Sequence, residues 1–157
     1  MKFTKKQIDR YSRQIILKKI GVIGQKKLLK ASVLIVGAGG LGSPIAIYLT
    51  ALGIGEIGII DKDSVEISNL SRQIIFSTND LKKEKSYTAI NKLRKINPDI
   101  KLYSFNKRLT KKNINQIAKN FDLIVDGSDN FRTRFLINDY CLKNRKILVS
   151  GAISKFD

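Results

Sequence analysis

Chemistry concentrates first in Gly37-Ala38-Gly39-Gly40-Leu41-Gly42. This G-x-G-x-x-G run follows the apolar stretch Ser32–Val36 and opens a segment of helical period. A strand, a glycine turn and a helix N-terminus together make a phosphate cradle: the glycines let a ligand approach the backbone, and the helix start favours negative charge. Asp61 lies 19 residues beyond Gly42, at the end of a second apolar run, where a carboxylate accepts hydrogen bonds from ribose hydroxyls. Ser68-Asn69-Leu70-Ser71-Arg72-Gln73 comes next, and Lys85 twelve residues after Gln73. Arg72 and Lys85 are suited to neutralising a triphosphate, and Asn69 to bonding a phosphate or ribose oxygen. Asp129 follows a later apolar run, where it fits either Mg²⁺ or the cap of the next helix. The glycine run alone does not choose between a dinucleotide and ATP; Arg72 and Lys85 favour the triphosphate.

Positioning these groups requires alternating strands and helices. Strands are predicted at Ser32–Val36, Glu56–Ile60, Lys101–Phe105, Phe121–Val125 and Lys146–Ser150. Helices are predicted at Ser43–Leu52, Lys82–Ile96, Asn113–Asn120 and Phe131–Leu142, the last with Phe135, Ile137 and Leu142 available for burial. Pro44 is tolerated in a first turn, and Asn97-Pro98 stops the second of these segments, Lys82–Ile96. The alternation implies βαβ units: an α/β, Rossmann-like, mostly parallel sheet flanked by helices. Residues 1–31 read as a basic helical extension outside a core of 32–157, in one domain.

Composition narrows the chemistry. The chain has 157 residues, 30 Lys and Arg against 13 Asp and Glu for a net charge of +17, one Cys and no His. A catalytic histidine and a Cys/His zinc site are therefore impossible within this sequence. A hydrophobic fraction of 43% excludes a disordered polycation. No apolar run is long enough to span a bilayer, and the first residues lack the apolar core of a signal peptide, so a cytoplasmic protein is expected. The charge suits anionic partners, yet the lysines are scattered in pairs and no nucleic-acid motif accompanies them, which matches a Lys-, Ile- and Asn-biased composition. Cys141 lies inside a predicted helix and reads as a small buried hydrophobe.

Arg10-Tyr11-Ser12-Arg13-Gln14-Ile15-Ile16-Leu17, VLIVGAGGLGSP, IIDKDSVEISNLSRQIIF, Lys85, INPDI and Val125-Asp126-Gly127-Ser128-Asp129-Asn130 occur in one order along the chain. In that order they resemble the ThiF/MoeB family, the adenylyltransferases of thiamine and molybdenum-cofactor synthesis related to ubiquitin-activating enzymes. The resemblance runs from about Arg10 to the last residue. It implies ATP-dependent adenylylation of the C-terminal carboxylate of a ubiquitin-like sulfur-carrier protein ending in Gly-Gly, with Mg²⁺ and release of pyrophosphate. It also implies the roles of individual residues. Gly39 and Gly40 back the nucleotide, Asp61 and the nearby Asp63 face the ribose, and Ser68 to Gln73 run along the nucleotide. Arg72 and Lys85 contact phosphates, and Asp129 with Asn130 lies near Mg²⁺. Arg13 resembles the arginine that enters a partner subunit's site, which implies a homodimer; without the resemblance it reads as a solvated helix face. The family pattern continues beyond Asp157 with the zinc-binding part, so an inactive nucleotide-binding or dimerisation module is the alternative. No nucleic-acid or membrane partner is implied.

Overall fold

The computed structural model describes residues 2–153; Met1 and residues 154–157, the end of the C-terminal core segment, lie outside the described residues. Five parallel strands form one sheet: β1 (Ser32–Val36), β2 (Glu56–Ile60), β3 (Lys101–Phe105), β4 (Leu123–Asp126) and β5 (Ile147–Ser150), in the order β3-β2-β1-β4-β5. The helices are α1 (Lys5–Ile15), α2 (Gly21–Leu28), α3 (Gly42–Leu52), α4 (Lys85–Ile96), α5 (Ile114–Ala118) and α6 (Phe131–Asn144).

β1 is buried along its whole length because the sheet is covered on both faces. Successive side chains point to opposite sides, so Val33 and Ile35 join one apolar cluster and Leu34 and Val36 the other. The first cluster includes Ala46 of α3 and Ala89, Ile90 and Leu93 of α4; the second includes Ile114 and Ile117 of α5 and Ile137, Tyr140 and Cys141 of α6. The helical extension is tied in by Tyr11, wholly buried, whose hydroxyl accepts a hydrogen bond of 2.9 Å from Asn97 Nδ2. The same nitrogen donates to the Thr50 carbonyl at 3.0 Å, so the residue that ends α4 fastens α1 to α3.

Two expectations are corrected. Phe135 and Leu142 are 64% and 72% exposed. The buried face of α6 instead runs Ile137, Tyr140, Cys141, an i, i+3, i+4 set that leaves those two on the other side. The segment expected to be helical from Lys82 starts at Lys85. Lys82 has φ of 66°, its N–H donates to Val65 O, and the Lys85 N–H donates to Asp63 O, so residues 82–84 run antiparallel along 63–65 before α4 begins.

Asp80 holds the loop that leads there. Its Oδ2 accepts from the Ser77 N–H and Ser77 Oγ, each at 2.8 Å, and it pairs with Lys92. Burial pushes this carboxyl upward, but the Lys92 ammonium and the Ser77 donors outweigh it and hold it below its ordinary 3.8. A carboxyl lowered by folding stabilises above its unfolded value and loses that contribution as pH falls through the folded one. Asp80→Asn is expected to lose about 1–3 kcal/mol at pH 7, measured by urea unfolding. The difference from wild type should shrink as pH falls below 3.8 and through the lowered value of folded Asp80.

Candidate active site at the carboxyl ends of the strands

The strand order reverses direction between β1 and β4, which opens a crevice beyond the carboxyl ends of the strands. A cavity of about 630 Å³ occupies it, bounded by residues that follow all five strands. That volume is in the range of small-molecule sites.

The glycine turn forms the floor. Gly37 leaves β1 at φ of 93° and donates to the Ile60 carbonyl at 2.9 Å. Gly39 and Gly40 line the cavity. Asp61 fixes this turn to β2: its Oδ2 accepts the Ala38 N–H and its Oδ1 accepts the Asp63 N–H, both at 2.8 Å. Each carboxylate oxygen keeps a further lone pair, so Asp61 shapes the turn and can still accept from a ligand.

Beyond Asp61 the cavity becomes cationic. Lys62 Nζ lies 2.7 Å from Asp63 Oδ1, and this contact, with Lys85 and Arg108 nearby, lowers the Asp63 carboxyl below its ordinary 3.8. The Lys85 side chain is only 8% exposed, and its nearest carboxylate oxygen, on Asp63, is 4.0 Å away. A buried ammonium with so long an ionic contact is suited to a further anion. Arg72 is held by a 2.9 Å bond from Nη1 to the Ser68 carbonyl, with its stem beside Gly40. Gln73 is 4% exposed, and its Oε1 has no hydrogen-bond partner among the described residues. Six cationic side chains (Lys62, Arg72, Lys85, Lys107, Arg108, Arg134) face Asp61, Asp63 and Asp129 across the cavity, an excess of three positive charges.

The β4 loop supplies the remaining wall. Asp126, 1% exposed, accepts from the Ser128 N–H at 2.9 Å, from Ser128 Oγ at 2.6 Å and from Ser150 Oγ at 2.9 Å, which sets the path of residues 127–130. Asn130 caps α6, its Oδ1 accepting the Thr133 N–H at 3.0 Å. Asp129 is therefore released from capping and stands exposed on the cavity wall. Among the described residues no three His, Cys, Asp or Glu side chains gather into a metal-binding group. One or two carboxylates suffice for Mg²⁺ when phosphate oxygens complete its shell, and the exposed Asp129 carboxylate meets that requirement.

Of the residues named from sequence, the cavity unites Gly39, Gly40, Asp61, Asp63, Arg72, Gln73, Lys85, Asp129 and Asn130, and Asn69 lines its adjoining lobe. Ser68, Leu70 and Ser71 lie off its wall; Ser68 contributes its carbonyl to Arg72, and Leu70 packs on the core. Arg13 is exposed on α1, away from this chain's own cavity. Arg134, Lys62, Lys107 and Arg108 line the cavity without having been expected there. The last two follow β3 on the edge that carries Asp61 and Asp129, which is the signal that could have found them. Cys141 is buried away from the cavity, and burial pushes its thiol upward, as for an inert core residue.

The pattern of the ThiF family matches residues 11–157. The chain belongs to the ThiF family. Among the ThiF relatives, a sulfur carrier protein adenylyltransferase of Thermus thermophilus is 46% identical over 157 residues, which is all of this chain and 58% of that protein. A probable molybdopterin-synthase adenylyltransferase of Porphyra purpurea is 46% identical over 155 residues, 99% of this chain and 41% of that protein. The chain thus spans roughly half the length of these ThiF relatives. The E. coli tRNA N6-threonylcarbamoyladenosine dehydratase TcdA, solved in complex with ATP, superposes with a TM-score of 0.91 at 26% identity, over 100% of this chain and 65% of that one. No helix of the described residues is long and apolar enough to cross a membrane.

Proposed function

We propose that this ThiF domain binds ATP in the cationic cavity and adenylylates the C-terminal glycine carboxylate of a ubiquitin-like sulfur-carrier protein of molybdopterin or thiamine synthesis. The observation that carries this reading is the convergence of the glycine turn, Asp61, Arg72, Lys85 and Asp129 on one cavity with an excess of three positive charges. The 46% identity to named adenylyltransferases supports it.

The chemistry asks little of acid–base groups. A carboxylate oxygen of the carrier attacks the α-phosphorus of ATP, the bond from the α-phosphorus to the bridging oxygen breaks, and pyrophosphate leaves with the electron pair. The nucleophile is already ionised, so catalysis is alignment plus neutralisation of charge, and the absence of His is no handicap. Asp61 would hold the ribose, with Asp63 beside it. Arg72 and Lys85 would take the phosphates, and Asn69 and Gln73 would supply amide contacts along them. Asp129, with Asn130 adjacent, would hold Mg²⁺. When bound, that ion supplies charge neutralisation at the phosphates.

Arg13, exposed on α1 among the exposed Ile8, Ile16 and Leu17, would reach the site of a second copy in a homodimer. A cytoplasmic setting follows from the same reading. The test is ATP–pyrophosphate exchange with a ubiquitin-like protein ending in Gly-Gly, where exchange that requires the added carrier is expected. Tight ATP binding without such exchange would assign the chain to the alternative, a nucleotide-binding or dimerisation module.

A further inference from the structure

Arg134 lies in the first turns of α6 and lines the cavity, yet no motif reading assigned it a role. Its Nη2 donates to the Ser128 carbonyl and to the Gly151 carbonyl, each at 2.8 Å. The guanidinium is thereby clipped between the loop that carries Asp129 and the segment leaving β5. Both partners are neutral, and among the described residues no carboxylate lies within ion-pair distance of Arg134. Its Nε and Nη1 groups have no protein acceptor there either. A guanidinium carries five donors and a permanent charge. One that is partly buried, immobilised and without a counter-charge is preorganised for an anion.

Position decides which anion. Arg72 and Lys85 face the glycine turn and Asp63 on the β1–β2 side of the cavity. Arg134 is on the other side, held to the Asp129 loop and to the end of β5, with Ile153 also on the wall. The nucleotide thus has its own cations, and Arg134 flanks the route by which a second reactant would meet the phosphates beside Asp129. That reactant carries a carboxylate.

We propose that Arg134 is a substrate-positioning residue that receives the terminal carboxylate of the incoming peptide tail and orients it towards the α-phosphate of ATP. The proposal rests on the adenylylation reading above. A neutral clip would need only its two carbonyl bonds. A carboxylate receptor also distinguishes an acid from an amide, and that discrimination is the measurable consequence.

The test uses the full 157-residue chain with a non-hydrolysable ATP analogue. It titrates a synthetic octapeptide ending in Gly-Gly, as the free acid and as the C-terminal amide. Wild type is expected to bind the acid roughly ten- to hundredfold more tightly than the amide. In Arg134→Gln that preference should fall to about unity, with the affinity for the analogue alone within about threefold of wild type. Arg134→Lys should keep part of the preference, and it carries the comparison if loss of the clip unfolds the glutamine variant. In the unmodified chain, the ¹⁵N resonance of Arg134 Nε should shift on adding the acid and not the amide.

An acid preference that survives in Arg134→Gln overturns the proposal, as does a wild type that binds both peptides alike. Loss of nucleotide affinity in parallel with the preference overturns it too, because the guanidinium then serves ATP. Failure of wild type to bind the analogue overturns the adenylylation reading itself, and the role of Arg134 with it.

Discussion

Gly42→Ala is expected to unfold the chain or collapse its nucleotide cavity, whereas Gly40→Ala is expected to keep the fold and weaken ATP binding. A Cβ built on Gly42 would sit 1.8 Å from the Gly37 carbonyl oxygen and 2.9 Å from its carbon. Both are backbone atoms at the exit of β1, so no flexible side chain can yield; α3 would have to move off the strand it packs against. The cost is expected to exceed about 4 kcal/mol, a large share of the 5–15 kcal/mol that stabilises a typical domain. At Gly40 the nearest atoms to an added Cβ are Arg72 Cγ and Cδ at 3.5 Å, ordinary contact with a flexible stem. That methyl should cost stability no more than about 1 kcal/mol, while it projects into the space the phosphates would use. Urea unfolding and ATP titration on both variants separate the two jobs of one motif: close helix–strand packing at its last glycine, ligand approach at an inner one.

Asp129→Ala should have the opposite signature, with the fold untouched and the reaction lost. The carboxylate is exposed, and its one side-chain hydrogen bond among the described residues is a long 3.4 Å contact from Asn130 Nδ2. Helix capping belongs to Asn130, so removing Asp129 frees no structural group. Stability is expected to stay within about 0.5 kcal/mol of wild type. Carrier-dependent ATP–pyrophosphate exchange should fall by about two orders of magnitude or more, the scale for deleting a preorganised charge at a phosphoryl site. Addition of Mg²⁺ should restore little of it, because the ligand rather than the ion is missing. Asn130→Ala is the counterpart: loss of the cap should cost about 1 kcal/mol of stability.

Much of this architecture was legible in the residues themselves. The spans Ser32–Val36, Glu56–Ile60 and Lys101–Phe105 agree with β1, β2 and β3 to the residue, because the first two are short apolar runs, the third carries Leu102, Tyr103 and Phe105, and each is closed by a turn former. Asp61 and Lys85 both line the cavity, Asp61 because the topology puts every strand's carboxyl end on one edge and Lys85 because the start of α4 is hydrogen-bonded back to Asp63. The misses have local causes. Helical period continues through Lys82, but tertiary pairing with residues 63–65 overrides it. Phe135 and Leu142 are apolar, yet the side of α6 that meets the sheet is chosen by Ile137, Tyr140 and Cys141. Arg134 has no identity as a site residue until the ends of β4 and β5 are brought side by side, since its carbonyl partners lie 6 and 17 positions away in the chain. Capping by Asn130 instead of Asp129 depends on backbone geometry within one turn, which residue type alone does not resolve.

The measurement closest to the centre of the proposed function is the mass of a ubiquitin-like carrier ending in Gly-Gly after incubation with this chain, ATP and Mg²⁺. Adenylylation predicts a carrier heavier by one adenylyl group attached through its terminal carboxylate, absent when that carboxylate is capped as an amide and absent with Asp129→Ala. A chain that binds ATP and leaves the uncapped carrier unmodified, or that modifies the capped carrier equally well, would contradict it.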